Sequence, residues 1–208
     1  MEFKKVMAPT IVAIVTLVVM TVGATYAFFT VSPTNSFGTK TVTATTPDLG
    51  TVALSAGDSL TMTLTAADMM AKSADTTYYA SKTGKATTAT TVDIGKATAT
   101  GAETFSCSYS LTFDDNANSL YDAFQSMGTK STGQIVLTVN GTAYDFNTAS
   151  LFPKTITGTL TGVKDGTPKT ITAQLKLVNK KDVDQTALAN KTITVSLKVN
   201  SFSCSATA

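Results

Sequence analysis

The sequence predicts an all-β protein, a β-sandwich with short helices at its edges. Threonine makes up about a fifth of the 208 residues, and valine is also frequent. Both side chains branch at the β-carbon, which favours extended, half-exposed strands. Eight segments also alternate apolar and polar residues, a period that indicates strands with one buried face. These segments are KTVTATT, TVALS, SLTMTLT, FSCSYSLTF, QIVLTVNG, KTITGTLTGV, KTITAQLKLV and KTITVSLKVNSF.

The start of the chain is typical of an export signal. Two lysines precede an apolar run over residues 6–22, and small residues follow it, with Thr25 and Ala27 in the small-x-small spacing that a signal peptidase reads. This order predicts an apolar signal helix in residues 1–27, cut between Ala27 and Phe28. Cleavage would leave a free aromatic N-terminus.

The same apolar run has an alternative interpretation as a membrane anchor. Its length lies between that of a signal segment and that of a spanning helix. An uncleaved helix over residues 6–24 would hold the protein on the cell surface as a binding module or adhesin. Both hypotheses require export and place residues 28–208 outside the cytoplasm as a single domain. Contact with the membrane is limited to residues 6–24 before cleavage.

The chain has two cysteines, Cys107 and Cys204, an even number that favours a disulfide in an exported protein. The alternative is a pair of buried free thiols. Neither cysteine is expected to be catalytic, because the sequence contains no histidine to activate a thiol.

Charge and composition argue against several classes of function. The 16 basic residues are all lysines and are balanced by 14 acidic residues, so there is no electrostatic footprint for nucleic acid. Without histidine, the chain cannot form a Ser-His-Asp triad or an HExxH zinc site. We therefore expect neither an enzyme nor a bound cofactor or metal.

Turn and helix signals separate the alternating segments. The Asn140-Gly141 pair predicts a tight hairpin. NSLYDAFQSMG, residues 118–128, predicts a helix that ends at its glycine. DVDQTALAN predicts about two helical turns capped by Asp182. Residues 66–102 lack a clear period and predict an irregular insertion with a little helix or an edge hairpin, part of it mobile.

Two motifs have both a functional and a structural interpretation. The acidic stretch from Asp114 to Asn118 resembles the opening of a calcium loop, but Ser119 and Gln125 stand where an EF-hand needs Gly and Glu. A turn that caps the next helix is the favoured interpretation. Asn140 and Asn190 fit the glycosylation sequon, which a threonine-rich chain also matches by chance.

Five stretches resemble the TasA/camelysin family. Gly23–Thr30, GATYAFFT, is similar to the family's export segment, in which a dedicated signal peptidase cuts after the alanine. Asn35–Thr39 and Leu54–Leu60 resemble an early strand and its L-x-P-G-D turn, with Ala56 in place of the proline. The helix-to-strand passage around QIVLTVNG and the closing DQTALANKTITVSLKV are also similar.

This resemblance implies a secreted protein with a jelly-roll-like sandwich that assembles into biofilm-matrix fibres. Its partners would be other copies of itself and other matrix proteins. Assembly in the family uses the mature N-terminal segment, here residues 28–36, as a donor strand that completes the next subunit. Phe28, Phe29 and Val31 would carry the donor contact, since Phe29 and Val31 share one strand face.

The N-terminal segment also has plainer interpretations. It can be a flexible terminus, or the first strand of its own sheet. Some family members are described as metallopeptidases, an activity for which a chain without histidine offers no recognisable basis.

Overall fold

The computed structural model describes residues 29–31, 40–46, 50–70, 73–115, 119–147 and 152–207. Most of these residues are β-strand, which confirms the predicted all-β class. In chain order the strands are β1 (Phe29–Val31), β2 (Lys40–Thr46), β3 (Gly50–Ala56), β4 (Leu60–Thr63), β5 (Thr76–Ala80), β6 (Lys85–Ala86), β7 (Val92–Thr100), β8 (Thr104–Asp115), β9 (Ile135–Val139), β10 (Thr142–Asp145), β11 (Lys154–Val163), β12 (Lys169–Asn179) and β13 (Thr192–Thr207). Each of the eight alternating segments of the sequence overlaps one of these strands.

The strands form two sheets. The first sheet has the order β1-β13-β8-β11, and β4 also pairs with β13. The second has the order β10-β9-β12-β7-β3-β2, with β5 beside β12 and β6 beside β5. The paired registers are antiparallel throughout both sheets.

Both sheets bury one face in a shared hydrophobic core. Phe113 and Phe202 of the first sheet and Leu54 and Leu175 of the second are at most 1% exposed and belong to the same apolar cluster. The polar residues between them face outward, as the period of two requires. The arrangement is therefore a β-sandwich.

Short helices lie between the strands. Helix α1 (Ala66–Met69) follows β4, and helix α2 (Ser119–Ser126) follows β8. Helix α2 matches the helix that the sequence predicts there. Thr186–Leu188 form a 3₁₀-helix in place of the predicted two turns, with Gln185 rather than Asp182 at its N-cap position. The Asp182 cap was wrong because the helix begins four residues later.

The predicted insertion at residues 66–102 contains the expected little helix, α1, and the expected edge hairpin, β5 and β6, but it is not irregular throughout. It contains β7, which lies between β12 and β3 within the second sheet. Ile94 and Gly95 are both buried, so the in-out alternation changes phase where β7 slips in register against β12. A bulge of this kind breaks a period of two, and the small Ala97 and Ala99 further weaken the hydrophobic signal.

Candidate functional site at the edge of β13

The candidate site is the end of β13 that lies between β8 and β1. In one cross-strand row, Cys204 is paired with Cys107 of β8 and with Phe29 of β1. Phe202 pairs in the same way with Tyr109 of β8 and Val31 of β1. β1 is therefore a three-residue strand added antiparallel to the edge of β13.

The sequence SFSCSAT explains why this part of β13 has a buried face. Phe202 is fully buried and Cys204 is 2% exposed, while Ser203 and Ser205 between and beyond them are only half-buried. Burial of a phenylalanine side chain contributes about 1.5–3 kcal/mol, so Phe202 is the main apolar anchor of this end.

The structure joins the two cysteines in a disulfide, as the sequence predicts. The Sγ atoms of Cys107 and Cys204 are 2.15 Å apart and their Cα atoms 4.0 Å apart. Because the two residues are directly opposed on neighbouring strands, the bridge ties β13 to β8 in the same row to which β1 adds.

The predicted donor residues are only partly described. Ala27 and Phe28, on either side of the predicted cleavage site, lie outside the described residues. Phe29 and Val31 begin and end β1 and pair with the chain's own β13. This is the arrangement expected if the segment is the first strand of its own sheet.

The predicted export segment, residues 1–27, and the alternative anchor, residues 6–24, also lie outside the described residues. Within the ranges that the structure does describe, no helix is long and apolar enough to cross a membrane.

Asn140 connects the two sheets through its side-chain amide. Its Nδ2 donates to the Tyr109 hydroxyl of the first sheet at 2.9 Å, and its Oδ1 accepts from the Thr172 backbone N–H of the second at 2.8 Å. Burial raises the pKa of Tyr109, and the hydrogen bond from Asn140 partly offsets that rise. The predicted sequon at Asn140 therefore lies on an amide that is already used within the fold.

Gly158 makes room for the Tyr109 ring. The two residues are opposed on β11 and β8, and a Cβ added at Gly158 would lie 2.3 Å from the Tyr109 hydroxyl oxygen. This packing carries no sequence signal beyond an isolated glycine in a strand, which indicates a close approach without identifying its partner.

A buried carboxylate, Asp68, organises the other end of the sandwich. The Thr65 backbone N–H and hydroxyl donate to its Oδ2 at 2.7 Å each, and Lys85 pairs with its Oδ1. Partial burial raises the pKa of Asp68, but the hydrogen bonds from Lys85 and Thr65 outweigh burial and hold that pKa below its usual value. The sequence signal for this cluster is the Thr-x-x-Asp spacing of Thr65 and Asp68. This spacing is typical of a capping box at the start of a helix, in which each side chain bonds the backbone N–H of the other residue.

The acidic stretch before α2 is described only in part. Asp114 lies on β8 opposite Ser196, while residues 116–118 lie outside the described ranges. Among the residues with described positions, no three His, Cys, Asp or Glu side chains form a group that could hold a metal ion.

A surface depression of about 430 Å³ lies beside β12 and includes Asp75, Ser131 and Lys180. Asp75 accepts from the Lys181 backbone N–H at 3.1 Å and from Lys180 Nζ at 3.0 Å, and these two bonds lower its pKa. The charges in this depression are thus paired with each other.

No protein-family model, no curated protein and no solved structure matches this chain. The interpretation of the site therefore depends on its own geometry.

Proposed function

We propose that the protein is a secreted structural subunit of extracellular, biofilm-matrix fibres. Each subunit would donate its N-terminal segment, residues 28–36, to β13 of the next subunit. The proposal includes the jelly-roll-like topology that the family resemblance implies. The single observation that carries the proposal is the antiparallel pairing of the short edge strand β1 with β13.

Pairing within one chain and pairing between two chains use the same contacts. A β1 strand from a second copy can meet Phe202, Ser203 and Cys204 in the same register, so exchange loses no cross-strand row. Exchange of an identical element between protomers is a low-cost route to assembly. Among the described residues, three rows pair β1 with β13 and would have to open before exchange.

The connection to the rest of the chain supports exchange. Residues 32–39 separate β1 in the first sheet from β2 in the second. Eight residues span at most about 26–29 Å when fully extended. β1 is therefore joined to β2 through eight residues rather than through a two-residue turn.

One-directional donation would build a filament, whereas reciprocal exchange between two subunits would close a dimer. The donated segment and the accepting edge are different parts of the surface, so the contact is head-to-tail. Head-to-tail contacts generate open filaments whenever the rotation between subunits does not close a ring. The disulfide fits an extracellular location because such bridges persist in oxidising compartments.

The proposal is tested by comparing the mature protein, residues 28–208, with a form that begins at Ser36. Electron microscopy of both proteins after incubation at equal concentration should show fibres for the first only. The shorter form should remain a soluble monomer with an unchanged β-type circular dichroism spectrum.

Two outcomes would contradict the proposal. If the shorter form still makes fibres, the contact between subunits lies elsewhere. If it unfolds, β1 is a required strand of its own sandwich and not an exchangeable donor.

A further inference from the structure

We propose that Cys107 and Cys204 are positioning residues for assembly. Their bridge holds the end of β13 on β8 while β1 is absent, so that β1 exchanges and β13 stays in place to accept it. This inference rests on the proposed function and specifies what keeps the end of β13 able to accept a β1 strand.

The first supporting observation is a break within β13. The register of β13 against β8 shifts between Val199 and Ser201, so residues 201–207 pair with β8 as a separate run after a bulge. Asn200 lies at the break, and its Nδ2 donates to the Thr112 hydroxyl at 2.7 Å. A bulge interrupts the ladder and gives the strand a point at which it can detach.

The second observation is the number of neighbours that this run retains. β4 pairs with residues 192–195, on the near side of the break. Beyond the break, the strands described as pairing with β13 are β8 and β1 alone. When β1 leaves for another subunit, only β8 holds residues 201–207 along an edge.

The third observation is the position of the bridge. Cys204 is the middle residue of the run 201–207, and Phe202, the apolar anchor, is two residues away on the same buried face. A covalent bond at that position prevents the run from separating from Cys107 even when hydrogen bonds open at both ends. Without the bond, the end of β13 can detach as well as β1. Phe202 would then leave the core with that end, and the edge that accepts β1 would be lost.

The inference is tested with the mature protein and a fluorescent peptide of residues 28–36 as the donor. The double variant Cys107→Val with Cys204→Val keeps apolar side chains at both positions but removes the bridge. Leu137→Ala, in the buried face of β9, is the matched control because it weakens the sandwich without touching β13. Val139→Ala replaces it if the leucine variant does not fold.

All variants are compared at a temperature where circular dichroism shows them folded. We expect the double valine variant to bind the peptide about tenfold more weakly. A loss of this size corresponds to an accepting edge that is formed in about one molecule in ten, because the apparent affinity falls with the fraction of binding-competent molecules. Fibre growth should slow in parallel. The β9 variant should retain peptide affinity within about twofold of the unsubstituted protein, because its accepting edge is intact.

Hydrogen exchange supplies a readout that does not depend on the variants. In the form that begins at Ser36, amides of residues 201–207 should stay protected when the protein is oxidised. They should lose protection on reduction, while amides of β9 keep theirs. Equal loss in both regions would show a general effect on stability and would overturn the inference.

The outcomes separate the inference from the proposed function. If the oxidised protein neither forms fibres nor binds the peptide, the proposed function fails, and the inference fails with it. If it does both and the double valine variant matches it, the bridge does not position β13, although the donor-strand function stands.

Discussion

β1 and β10 are both short strands at the edge of a sheet, yet they are attached in opposite ways. β10 has four residues and follows its partner β9 through the two-residue turn Asn140-Gly141. β1 has three residues, and its partner β13 lies at the far end of the described sequence. The two strands therefore differ far more in the number of residues that connect them to the next or previous strand, eight against two, than in their length.

The turn explains why β10 stays with its own chain. Asn140 and Gly141 have φ values of 45° and 82°, the left-handed conformations that close a two-residue hairpin. The Asn140 side chain also contacts both sheets. A strand held by a two-residue turn stays beside its partner, so under the proposed function the connection decides which edge strand can exchange.

Placing a charge on each strand is the strongest test of the difference between β1 and β10. Replacing Phe29 and Val31 together with Asp should abolish fibre growth, because a donor strand gains about 1.5–3 kcal/mol for each large apolar side chain that it buries. Electron microscopy and sedimentation measure the loss. Ala143→Asp on the exposed face of β10 is the control and should leave fibres unchanged. Equal loss from both changes would remove the distinction between the two strands.

Reduction of the disulfide is expected to have the largest effect on stability. The cysteines are 97 residues apart, and the chain-entropy model assigns a loop of that length about 4–5 kcal/mol. Denaturant unfolding with and without a reducing agent measures the change in the free energy of unfolding. A protein that binds thiol reagents without prior reduction would contradict the bridge itself.

Removal of the Asn140 side chain should loosen the attachment of β10. Asn140→Ala loses the hydrogen bonds to Tyr109 and Thr172, which costs about 1–3 kcal/mol, and places alanine at a positive φ. Asn140→Gly keeps the backbone conformation and should cost less. Urea unfolding measures both variants, and equal stabilities would show that backbone strain contributes nothing at this turn.

Acid should weaken a region remote from both strands. The folded pKa of Asp68 lies below its unfolded value, so its stabilising contribution is present above the usual aspartate pKa and is lost as pH falls through the folded pKa. Asp68→Asn should cost about 1.5–3 kcal/mol at neutral pH, because hydrogen bonds to a charged group are lost.

Urea unfolding across pH 2–7 measures this contribution. The difference between Asp68→Asn and the unsubstituted protein should shrink below the usual aspartate pKa of about 3.9. Fibre growth at neutral pH should not change. A difference in stability that is independent of pH would show that Asp68 does not act through its charge.

The strands and the hairpin were predictable from sequence because their signals are local. Alternation fixes the buried face of each of the eight segments, and Asn-Gly is a turn signal in itself. Cysteine number in an exported chain predicts the bridge, because two cysteines allow a single pairing. β7 was missed since its bulge at Ile94 and Gly95 breaks the alternation on which prediction depends.

The contacts that define the site were beyond sequence because they depend on which sheet each strand joins. β11 and β12 are adjacent in the chain and share the KTIT motif, yet they lie in different sheets. Likewise, no local pattern places Phe29 beside Cys204 or Tyr109 over Gly158. Whether β1 pairs with its own chain or with another chain depends on the eight-residue connection to β2 and on the protein concentration. Alternation gives no information about either.

The order of strands in the first sheet has a consequence for folding. β13 pairs with β1, β4 and β8 and follows all three in the chain. The sheet therefore cannot be completed before β13 is available. Such distant pairings close large loops and make folding slow. In a chain that emerges from its N-terminus, β1 is present long before its own β13. Under the proposed function, a finished neighbour would then offer β1 an accepting edge first, so slow completion of the sheet would favour assembly over self-closure.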